Sequence, residues 1–387
     1  MVAPFPALMA LATASLASPR AATAAIATRT ATHKGCTYSA TVAAATASGL
    51  PPLVLLPPIG VGIDRTFCGR FVEAWANDII PHAALHAIDV IGMGDSSPKP
   101  RMKRRPLGGW DEPPRTPVEW AEQVIDYIEN EVGEPCVVVG QSNLCTVALE
   151  AVRINSGAVK GVVLIGPPAV EALSIDKPQE AIDKLWRIVG SPIGAALYRF
   201  ARRKAFLGSF STKNLFADPS KVDEAYLETC ARGAADASTR HAVFSFVAGT
   251  WRRDYRELLA TLALPTLIVS GRDVGSAAAA GGGVGKAPPP EKPQAVDVDK
   301  SSFKNLLSWF KVWRRGRTQE TGRFDQVGRD LGLDPEAKLR DFAAVMTAAS
   351  ASDRVETALL PGWNVLVYES PQELASCVGD FVSRRFS

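Results

Sequence analysis

Residues 137–145 read VVVGQSNLC, and the helical pattern NLCTVALEAVRI runs on from Asn143 to Ile154. A run of valines followed at once by a helix is a buried strand that turns sharply at Gly140-Gln141-Ser142. A strand, a G-x-S-x-x turn and a helix together expose a serine hydroxyl at the end of a sheet. The fifth position, where helix and strand approach closely and a small residue is usual, is Leu144 here. Ser142 is thus a candidate nucleophile. It needs a partner, because a serine hydroxyl attacks poorly until a base takes its proton.

Working outward, the same alternation of strand and helix recurs. LPPLVLLPPIG (50–60) is a buried strand ending in a Pro-Gly turn, and HAALHAIDVIG (82–92) is a second. PVEWAEQVIDYIENEV (117–132) places Val118, Ala121, Val124, Ile125 and Ile128 on one helical face. VKGVVLIGPP (159–168), PTLIVSGRD (265–273) and VETALLPG (355–362) are further strands, and PQELASCVGDFVSRRF (371–386) closes the chain as a helix. The strands are apolar throughout rather than alternating, so both faces of the sheet are covered. That predicts an α/β architecture with a mostly parallel central sheet flanked by helices. Residues 170–258 are helical in pattern and interrupt the strands. They are expected to form a helical cap over the carboxyl ends of the strands, where ligands bind in such sheets.

Composition bounds the rest. The 387 residues are 47% apolar and 21% charged, enough for a substantial core. The 43 basic and 40 acidic residues nearly cancel, which argues against nucleic acid as a partner. The six cysteines form no C-x-x-C pair, and no metal or cofactor is expected. The first 63 residues contain no Asp or Glu and carry only Arg20, Arg29 and Lys34 as charges. Scarce acids amid Ala, Ser and Thr are the mark of an organelle leader. Residues 1–45 are read as a disordered transit peptide, plastid first and mitochondrion as the alternative, ahead of one domain over 46–387. Within that domain 274–353 is a partly disordered insertion, beginning with the Gly-, Ala- and Pro-rich stretch 274–299. SSFKNLLSWFKVWRRGR (301–317) then sets Phe303, Leu306, Leu307, Phe310 and Trp313 in one stripe among basic residues. Such a helix, over 303–317, either packs on its own domain or makes a peripheral contact with anionic lipid.

Three motifs taken together resemble the α/β-hydrolase superfamily: the Ser142 turn, IDVIGMGDSS (88–97) and LPTLIVSGRD (264–273). Ser142 comes first, the cap follows, and Asp273 then stands where the acid of a catalytic triad is delivered. The cap stretch SPIGAALYRFARRKAFLGSFSTKNLFADPSKVDEAYL and the end LPGWNVLVYESPQEL resemble a plastid and cyanobacterial branch of that superfamily. The resemblance implies oxyanion donors at the backbone N–H of Asn143 and at Ile59 or Gly60, and substrate contacts at Gln141 and His241. It also implies a histidine base after the last strand. At that position stands Asn364, and the four histidines (33, 82, 86 and 241) all precede Asp273. Asparagine can hold a hydrogen bond but accepts no proton near neutral pH. Two expectations stay open. One is a plastid serine hydrolase of ester or acyl substrates, among them lipid-derived ones, with a degenerate triad and low activity. The other is a non-catalytic pseudo-hydrolase that binds a small molecule or partner in the capped pocket.

Overall fold

The computed structural model describes residues 25–46, 49–79, 82–98, 110, 112–273, 334–347 and 352–387. Eight strands form one sheet: β1 (Ile26–His33), β2 (Cys36–Ala43), β3 (Leu53–Leu56), β4 (Leu85–Ile88), β5 (Cys136–Gln141), β6 (Val159–Ile165), β7 (Thr266–Gly271) and β8 (Val355–Leu360). Their order is β1-β2-β4-β3-β5-β6-β7-β8. β1 pairs antiparallel with β2 and β2 antiparallel with β4, while every later pair is parallel.

Why the strands read as unbroken apolar runs is now plain. On β5, Val138 faces one core with Val54, Val162 and Ile268. Val137 and Val139 face the other with Leu53, Leu55 and Val163. The first core is roofed by α2 (Pro117–Tyr127), α3 (Cys145–Ile154) and the helix Pro335–Thr347. The second is roofed by α1 (Gly69–Asp78) and the C-terminal helix Pro371–Phe386. With helices on both sides, neither face of a strand can be polar. Helix α2 starts with a full capping box, Thr116 and Glu119 bonding each other's backbone N–H, and Pro117 at its first position. It ends by widening into a π-helical turn, Ile128–Val132, rather than as the straight helix expected to residue 132.

Between β6 and β7 lie α4 (Gln179–Val189), α5 (Pro192–Ala201), α6 (Lys204–Asn214), α7 (Glu224–Gly233) and α8 (Arg240–Ala248). The short helix Arg256–Thr261 returns the chain to the sheet. This is the segment expected to form the cap.

One sequence expectation needs correction. Ile26–Ala43 falls inside the stretch read as a disordered leader, yet it forms the β1–β2 hairpin at the sheet edge. The turn is Lys34-Gly35, both at positive φ (46° and 77°), the two-residue turn that matches strand twist. The hairpin is tied down by Lys34–Glu122 at 2.5 Å and His33–Asp126 at 3.3 Å, both onto α2. Composition misled because a threonine-rich edge strand is as short of acids as a leader. In the insertion 274–353, read as partly disordered with helices running to about residue 350, Pro335–Thr347 is an α-helix bearing Leu339, Phe342 and Met346 into the core. Residues 1–24 and the amphipathic stripe at 303–317 lie outside the described residues.

A chain starting at Ala25 keeps every strand, whereas one starting at Thr46 strips β2 from β4 and leaves that edge unpaired. The first should melt with the full chain. The second should aggregate or lose about 10 °C or more in Tm, read by differential scanning fluorimetry.

Candidate active site

At the end of β5 the chain is forced into the turn that the sequence suggested. Ser142 has φ 55°, and Lys34 of the hairpin turn is the other non-glycine residue with positive φ among the described residues. Gly140 makes the turn possible. A Cβ there would lie 2.7 Å from the Leu144 carbonyl oxygen and 2.8 Å from Cys145 Cα. Helix α3 therefore begins directly against the strand end. A 3-10 turn, Ser142–Leu144, leads into it, and neither its start nor that of α3 has a side-chain cap. The first N–H groups of a helix have no partner within it. An uncapped start therefore leaves the Asn143 N–H able to serve as an anion donor.

The loop after β3 carries Ile59 and Gly60, the positions expected to give the second donor, both half-buried. It is held from below by a buried ion pair. Arg65 donates from its backbone to Asp89 Oδ1 at 2.8 Å, and from Nη1 to Asp89 Oδ2 at 2.6 Å and Asp95 Oδ2 at 2.8 Å. From above it is pressed by the cap. A Cβ on Gly62 (φ +77°) would lie 1.8 Å from the Cys230 carbonyl oxygen, and one on Gly233 would lie 2.3 Å from that of Gly62. Loop and α7 thus meet backbone to backbone, and only glycines fit.

Asn364 and Asp273 are both in the loop cluster beyond β7 and β8, and their side chains are engaged elsewhere. Asp273 is exposed; its Oδ2 accepts the Gly362 N–H at 2.8 Å and its own N–H donates to Gly362 O at 3.1 Å. Asn364 Nδ2 donates to the Asn214 carbonyl of the cap at 3.1 Å. The link to the elbow runs through its backbone: buried Gln141 Nε2 donates to Asn364 O at 3.2 Å, while Gln141 Oε1 is buried without a partner.

No histidine joins them. Among the described residues no hydrogen bond connects Ser142 to an imidazole; His33 meets Asp126, His82 the Ala83 carbonyl, and His86 the Tyr127 hydroxyl at 2.9 Å. His241, set as a substrate contact from the sequence, is fully buried on α8. It stands perpendicular to the indoles of Trp110 and Trp186, with ring centroids at 4.7 and 4.9 Å. Neither ring nitrogen has a hydrogen-bond partner of good geometry. A T-shaped ring pair lets an N–H meet a π face instead. His241 packs; it does not point at Ser142's side as a hydrogen-bonded base.

Sequence reasoning missed Glu369. Its carboxylate is 2% exposed and accepts three backbone N–H groups: Trp363 at 2.7 Å, Ala217 at 2.7 Å and Asp218 at 3.2 Å. Burial pushes its carboxyl up from the usual range, against the pull of those three donors. The signal was an acid at the end of the apolar run VLVY (365–368), a place where only a partnered carboxylate can sit.

The sequence profile of the Alpha/beta hydrolase family matches residues 53–376, so the chain belongs to that family. No curated protein matches the chain. Among solved structures, one similar to it is a serine hydrolase involved in carbazole degradation, at 15% identity and TM-score 0.58, covering 93% of this chain and all of that one. The enol-lactonase of Burkholderia xenovorans LB400 is similar at 14% identity and TM-score 0.55, covering 92% and 100%. The epoxide hydrolase CorEH is similar at 14% and 0.57, covering 93% and 99%. Such distant likeness shows a shared fold and leaves the reaction to the site.

Two outcomes follow. Serine at positive φ costs about 1–2 kcal/mol that glycine avoids, so Ser142→Gly should be more stable than Ser142→Ala by about 1 kcal/mol in urea denaturation. Burial lowers the His241 imidazole to about 4. Its folded value lies below the unfolded one of about 6.5, so its neutral form contributes stability above pH 6.5 that is lost as pH falls towards 4. His241→Phe should lose less Tm than the wild type between pH 7 and pH 5, with the similarly lowered His86 (also about 4) supplying what remains.

Proposed function

We propose that this chain is a plastid serine hydrolase of ester or acyl substrates, lipid-derived ones included, whose turnover is low because its triad is degenerate. The observation that carries the reading is a Ser142 held at φ 55° while the base position holds an asparagine bonded to the cap. A strained backbone at the end of a parallel strand is kept only where the surroundings enforce it. The Asn143 N–H and the Ile59–Gly60 loop would polarise a carbonyl placed above Ser142. Loss of the base costs such enzymes about a millionfold in turnover, and about 10³–10⁴ over water survives from the oxyanion donors and binding. Location in the plastid rests on the acid-free composition of residues 1–24, ahead of the hairpin, and the basic stretch 303–317 fits a peripheral contact with anionic lipid.

A second reading has its own support. Asp273 serves the Gly362 N–H and Asn364 serves Asn214, so both triad positions beyond Ser142 have other work. That favours a pseudo-hydrolase that binds a small carbonyl compound without turning it over.

Labelling of Ser142 by a fluorophosphonate probe tests the first reading. Without a base the rate should be slow and rise steadily with hydroxide from pH 7 to 10. A plateau with an apparent pKa near 6–7 would reveal an imidazole base. Asn364→His separates the two readings. A gain of about tenfold or more in aryl-ester hydrolysis supports the hydrolase, since a positioned base contributes about 10²–10⁴-fold, and no gain supports the binding protein.

A further inference from the structure

The position where the superfamily carries its base is occupied here by a residue that faces the cap. Asn364 Nδ2 donates to Asn214 O at 3.1 Å, and its backbone N–H donates to Leu215 O at 3.2 Å. Five residues on, Glu369 continues the same seam. Its Oε1 accepts the N–H groups of Ala217 and Asp218 from the cap, and its Oε2 accepts that of Trp363 from the loop after β8. Lys221 Nζ of the cap donates to the Glu369 carbonyl oxygen. A Cβ on Gly362 would come within 3.1 Å of Glu369 Cβ, so the loop is also sterically seated on that side chain. The far end of the seam reaches the elbow itself through Gln141 Nε2 and Asn364 O.

These bonds are unlike the ladder that holds the sheet. They join two segments distant in sequence, 214–221 and 362–369, which also meet through the rings of Phe216 and Tyr368, centroids 5.9 Å apart. Each segment is a connection whose backbone donors and acceptors would otherwise need water. One carboxylate satisfies donors from both at once, and a charged acceptor makes the stronger kind of hydrogen bond. Removing it would release both segments together.

We propose that Glu369 and Asn364 are positioning residues that form a clasp, fixing the Asn214–Lys221 segment of the cap against the Ser142 elbow. The superfamily's base position has thereby become a cap-binding position. With α7 pressed onto the loop after β3 at Gly62 and Gly233, the cap is held at two loops beside the elbow, and this half of it is a fixed wall. The inference builds on reading Ser142 as the site, and its test requires neither ligand nor turnover.

Amide hydrogen exchange of the full-length protein, followed by mass spectrometry, provides that test. Glu369→Gln keeps the shape and replaces one acceptor oxygen by an NH2 group. Whichever way the amide turns, an N–H from the cap or the loop is left facing a donor. Exchange in peptides 214–221 and 362–370 should rise by at least about tenfold more than in the strand peptides 136–141 and 159–165. Asn364→Asp, which sets an oxygen against the Asn214 carbonyl, should raise exchange in 214–221 in the same selective way, and less strongly. Both variants are compared because a carboxylate loss at a buried site can weaken the whole fold. An equal rise in all four peptides, or none in 214–221 for either variant, overturns the proposal.

Discussion

The approach of Cys145 to Gly140 is the constraint on which the rest of this structure depends. Because residue 140 lacks a Cβ, helix α3 starts against the end of β5 with no connecting loop. The backbone can make that reversal only by passing through the left-handed region at Ser142. The strain places a hydroxyl and the uncapped start of a helix at the same point, above the middle of a sheet flanked on both faces. Because β3, β5, β7 and β8 run parallel, the described loops after β3, β7 and β8 leave the sheet at the same end as the elbow.

Those loops are held by charges and backbone groups as well as by packing such as that of Tyr368 on Phe67 and Phe216. Arg65 and Asp89 are both buried, and each would be costly without the other, since leaving one charge of such a pair unpaired costs about 3–5 kcal/mol. Asp95 and the N–H of Arg65 complete the arrangement and fix where the oxyanion loop leaves the sheet. Glu369 does the corresponding job for the loop after β8, with three N–H donors in place of a cation. Precise loops at the carboxyl end of a sheet suit a site that must present dipoles in fixed directions.

Among the described residues no imidazole is hydrogen-bonded to Ser142. Two histidines are buried deep enough to stay neutral well below their ordinary range, His86 beneath the edge hairpin and His241 between two indoles. Neither hydrogen-bonds the elbow. An elbow under strain and a silent base position are compatible with a protein that holds a carbonyl and alters it slowly. The relatives with known structures span lactone, ester and epoxide chemistry, so the scaffold sets no single reaction.

The sequence by itself determined the sheet, because a strand covered on both faces must be apolar at every position and VVVG and LVLL could be little else. It also determined the elbow, through a glycine and a serine at fixed spacing ahead of a helical pattern, and it carries no histidine after Asp273. These are local signals, carried by neighbours along the chain. The edge hairpin was written as locally, in Lys34-Gly35 between threonine-rich strands, but a shortage of acids gave the same stretch a different meaning. Where side chains point was decided by the tertiary structure alone. Asp273 turns to Gly362, Asn364 to Asn214 and His241 to two tryptophans because a polar group takes whichever partner folding brings within about 3 Å. For Asn364 that partner lies on the cap, far away in sequence, and no local pattern of residues could name it.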